Sequence, residues 1–72
     1  MNSTVKIVMD NLSREIKHLI FWYDHYRNAR LRSINRGDTK AVEIWNILIQ
    51  GVDEEITALE NERGAWLKSI GK

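Results

Sequence analysis

Apolar side chains recur along this chain in two ladders whose steps alternate between three and four residues. The first runs through Val5, Met9, Leu12, Ile16, Leu19, Tyr23 and Tyr26 and ends on Arg30. The second runs through Val42, Trp45, Ile49, Val52, Ile56, Leu59, Arg63, Trp66 and Ile70. Such stepping keeps one stripe of an α-helix turned towards a neighbour. Asn35-Arg36-Gly37-Asp38 separates the ladders, with Gly37 suited to a left-handed helix end and Asp38 or Thr39 suited to cap the next helix. A connection this short returns the second helix antiparallel to the first. The pattern predicts an all-α fold, an antiparallel two-helix hairpin forming one domain over 1–72. Helix 1 is expected over about 3–35, the turn at 36–38 and helix 2 over about 39–70.

Folding the ladders about that turn brings Tyr26 near Ile49, Tyr23 near Val52, Leu19 near Ile56 and Leu12 near Arg63. Two places leave alternatives. Gly51 costs a helix interior about 1 kcal/mol relative to Ala and could mark a break, with Asp53 capping a third helix. The ladder keeps its register through Ile49, Val52 and Ile56, which favours one continuous helix with Gly51 leaving room for the Tyr23 ring. At the other end, Thr4 to Val8 are partly alternating and rich in β-branched residues, and Asp10 or Asn11 could cap a helix that starts late. A strand there followed by two helices is similar to the ribbon-helix-helix pattern, whose paired strands enter DNA. Helix 1 is much longer than that pattern uses, so a helix capped by Ser3 is the expected reading.

Composition sharpens the picture. A chain of 72 residues buries only about 60–65% of the surface its unfolded form exposes, and no cysteine is present to staple it. Beyond the ladders, Ile20, Trp22, Leu31, Ile34, Ala41, Ile44, Ile47 and Leu48 are also apolar and gather towards the turn end. One seam cannot bury them all, and an exposed patch of that size invites association. Dimerisation into a four-helix bundle is therefore expected, with Ile20, Trp22, Leu31, Ile34, Ile44, Ile47 and Leu48 as the interface. At roughly 25 cal/mol per Å2, several hundred Å2 of added burial offers on the order of 10 kcal/mol before association costs. No apolar run approaches the roughly 18 residues of a spanning helix, and no signal-peptide pattern opens the chain, so a cytoplasmic protein without membrane contact is the expectation.

The net charge of +1 conceals a polarised chain. Residues 14–40 hold seven cations and three acids, whereas residues 41–72 hold three cations and six acids. On helix 1, steps of three and four from Arg14 pass through His18, Phe21, His25, Asn28, Arg32 and Arg36, a basic stripe opposite the ladder. Cations for phosphates with an aromatic for bases suit a nucleic-acid or other anion-binding face. A solvated helix face with one stray aromatic is the competing reading.

Little else carries chemistry. His18 and His25 stand seven apart, too far along one helix to share a metal ion. Asp53-Glu54-Glu55 splays around a helix, Ser13, Ser33 and Ser69 lack any nucleophile elbow, and no phosphate loop is present. Arg36-Gly37-Asp38 spells an adhesion tripeptide but is fully explained as a turn. Arg30 and Arg63 interrupt the ladders; Arg30 falls near Glu43 and can extend outward along the surface, and Arg63 falls within reach of Glu15 or Glu60.

The expected role is therefore non-enzymatic, with no cofactor and no metal. The first reading is a small regulatory protein that forms a homodimer and binds a larger protein, in the manner of inhibitors or adaptors encoded by phages and mobile elements. Partly exposed Trp22, Trp45 or Trp66 would serve as its anchors. The alternative is an RNA, DNA or nucleotide binder using the basic face of helix 1.

Overall fold

The computed structural model describes residues 3–70. Two α-helices account for all of them but the turn: α1 spans Ser3–Arg36 and α2 spans Thr39–Ile70. They lie side by side in a rod measuring 53 × 14 × 13 Å. No strand occurs among the described residues, so the strand alternative for residues 4–9 gives way to helix. No proline interrupts either helix, and a strand at that end would have no partner strand to take up its backbone hydrogen bonds.

The turn is built by two residues, Gly37 and Asp38. Gly37 takes φ of 72°, the left-handed region that costs other residues a Cβ clash. Its N–H donates to the Ile34 carbonyl at 3.0 Å, and the Asp38 N–H donates to the Ser33 carbonyl at 2.9 Å. These paired bonds close the end of α1 in the Schellman manner. Asp38 then starts α2. Its Oδ1 accepts the Ala41 N–H at 3.1 Å and its carbonyl accepts that of Val42 at 3.1 Å. Asp38 is thus the cap, and Thr39 is the first residue of the helix.

The ladders form the seam. Leu12, Ile16 and Ile49 are buried, and the remaining described ladder positions are all half-buried. The last one, Ile70, ends α2 with its side chain outside the described residues. Ala29 is also buried, and Ser33 is fully so at 0% exposure. Both lie on α1 near the turn, one residue short of Arg30 and three beyond it. The seam therefore continues past Arg30 onto a small polar residue that an apolar pattern does not register. The Ser33 Oγ donates to the Ala29 carbonyl at 3.1 Å, one turn back, which satisfies the hydroxyl without a partner on α2. Arg36 Nη2 lies 3.5 Å from the same Oγ. Among the described residues, no buried side-chain nitrogen or oxygen lacks a hydrogen-bond partner.

Two further expectations change. The helix runs unbroken through Gly51, and a Cβ added there would meet nothing within 4 Å, so Gly51 makes no room for Tyr23. Arg30 does not turn to Glu43. Its Nη1 donates to Asn46 Oδ1 at 2.8 Å across the seam, because an antiparallel return from Gly37 sets these two residues level.

Candidate interaction surface

Arg30–Asn46 and Tyr26–Trp45 together define two broad faces of the hairpin. The Tyr26 and Trp45 rings meet across the helices with centroids 5.6 Å apart. Trp45 and Asn46 are consecutive, hence about 100° apart around α2, and so straddle the seam. Residues that continue the Trp45 side form one face, and residues that continue the Arg30–Asn46 side form the other.

The Trp45 face is aromatic. Trp22 stacks at a tilt on Tyr26, one turn along α1, with centroids 5.8 Å apart. Its indole N–H donates to His18 Nε2 at 3.1 Å. Phe21 and His25 meet the Trp22 ring edge-on at 5.6 and 5.5 Å. On α2, Leu48 and Ile44 follow at helical spacing and Ile47 lies beside them at the outer edge, 70% exposed. The Arg30–Asn46 face carries Ile20, Leu31 and Ile34, all about half exposed or slightly more. Near the turn it dips into a shallow open depression of about 360 Å3 lined by Ile34, Val42, Glu43 and the turn residues.

Every member of the expected oligomer interface is solvent-exposed: Ile20, Trp22, Leu31, Ile34, Ile44, Ile47 and Leu48. They divide between the two faces. The sequence hides that split, because nearness to the turn along the chain does not say which face a residue takes. It becomes visible once the Asn46 register is known.

The basic stripe is likewise exposed at all seven positions, Arg14, His18, Phe21, His25, Asn28, Arg32 and Arg36. Only His18, Phe21 and His25 come together, and they do so around Trp22, which lies outside the stripe. Tyr23 has a different neighbour, the Arg27 guanidinium 5.7 Å from its ring centroid. Arg63 is half-buried in the seam. Among the described residues, no group of three or more His, Asp or Glu is placed to hold a metal ion, and no helix is long and apolar enough to cross a membrane.

No family model matches the chain. No solved structure matches it either. It is similar to the nuclear migration protein JNM1 of Saccharomyces cerevisiae, at 24% identity over 74 aligned residues. The match takes in 93% of this chain but only 20% of JNM1, so the chain spans about a fifth of the length of that relative.

Proposed function

We propose that this chain is a non-enzymatic interaction module that associates with itself and binds a larger protein, as an inhibitor or adaptor does. One observation carries the reading. Large apolar side chains stand exposed on both broad faces of the turn half, and one partner can cover only one face. Patches of this kind on small soluble folds commonly mark protein contacts. The partial similarity to a nuclear migration protein is compatible with an interaction role.

The partner clause is assigned to the face of Ile20, Leu31 and Ile34, where the turn depression can receive a side chain. Affinity capture from the host, with the 72-residue chain as bait, tests it. A defined protein should be retained by the native chain and lost with Leu31→Asp/Ile34→Asp, while circular dichroism keeps its helical signal. Retention indifferent to those substitutions would overturn the assignment. Recovery of RNA or DNA instead, released between about 50 and 200 mM salt and lost in Arg14→Ala/Arg32→Ala, would favour the basic stripe, because phosphate contacts release counterions.

A further inference from the structure

We infer that the Trp22–Leu48 face is covered by a second copy of this chain, packed antiparallel, with a two-fold axis level with Arg27 and Leu48. This deepens the self-association clause of the proposed function and leaves the partner clause on the opposite face.

Area comes first. The turn half of the hairpin is about 30 Å long at 1.5 Å per residue and about 20 Å wide across two side-chain-clad helices. Covering it removes roughly 600 Å2 from each copy and about 1,200 Å2 in total, the lower edge of the range of specific interfaces. Its centre holds the residue types that anchor interfaces, Trp22, Tyr26 and Trp45, ringed by Ile44 and Leu48.

Charge selects the direction. Residues 27–48 carry five cations and two acids, whereas residues 53–62 carry five acids and no cation. Stacking two copies with turns together would crowd the basic ends. Reversing one copy about the level of Arg27 and Leu48 brings Arg32, Arg36 and Lys40 level with residues 53–57 of the other, where Asp53, Glu54 and Glu55 stand.

Register then follows from helical spacing. Ala41, Leu48 and Glu55 recur every seven residues along one flank of α2, and Leu48 lies midway. On α1 the flank runs His18, Trp22, His25, Ala29, Arg32, Arg36, and it is symmetric about Arg27. A two-fold axis at that level matches Leu48 with its own copy and Ala41 with Glu55. It also sets Arg32 over the Trp22 indole, a favourable cation–aromatic pairing. One axis serves both helices, because Arg27 and Leu48 lie equally far from the turn.

Disulfide trapping tests this directly, since the chain has no cysteine of its own. Under mild oxidation, Leu48→Cys should cross-link to itself, and a mixture of Ala41→Cys and Glu55→Cys chains should give mainly the mixed dimer. A mixture of Arg32→Cys and Ile44→Cys chains should not cross-link. Those two residues are level with each other only when the turns lie together, so a bond there would overturn the antiparallel arrangement. Leu48→Asp should weaken dimerisation about tenfold or more while leaving helicity intact, because Leu48 is already 39% exposed in a single copy. A native chain that stays monomeric, or a Leu48→Asp chain that dimerises as the native one does, would refute the inference. Capture through Leu31 and Ile34 would still stand or fall on its own result.

Discussion

Ser33 is the residue that reveals most about how closely α1 and α2 approach. It has no exposed surface, sits one turn beyond buried Ala29, and spends its hydroxyl on the Ala29 carbonyl. Two small side chains in succession let the helices converge where the turn draws them together. Ser33→Leu should therefore overpack the seam and lower stability by about 1–3 kcal/mol, read as a fall in thermal midpoint. Ser33→Ala should change it by much less, because the hydroxyl bonds only to its own helix. An Ser33→Leu chain as stable as the native one would show that the seam is open there. Asp38 and Gly37 were readable in advance because turn chemistry constrains residue type strongly. Ser33 was not, since a ladder traced by apolar character stops at Arg30 although the step of three continues.

At the scale of the helices, periodicity carried nearly everything. Every described ladder position is buried or half-buried, including Arg30 and Arg63, whose long stems can line a seam; the Arg30 head bonds to Asn46. The Arg30–Asn46 bond could not be read, because a neutral amide gives no charge signal and Glu43 did. The glycines within α2 are unused space: a Cβ at Gly64 would meet nothing within 4 Å. Gly64→Ala should stabilise α2 by up to about 1 kcal/mol, seen as a higher denaturant midpoint with unchanged slope. A loss of stability would mean that the backbone at Gly64 is held against another surface.

For the molecule as a whole, the hairpin was legible and its use was not. Both expected surfaces are exposed, but the sequence could not say that the apolar one is split between opposite faces. That division depends on the rotation of each helix about its axis, which the Tyr26–Trp45 and Arg30–Asn46 contacts fix. Two apolar faces on one thin rod allow a self-contact and a partner contact to coexist. Sedimentation equilibrium of the 72-residue chain at micromolar concentration tests it most directly. The expected result is a species of twice the 8.5 kDa chain mass that shifts towards monomer in Leu48→Asp. A native chain that sediments as a monomer throughout that range would contradict it.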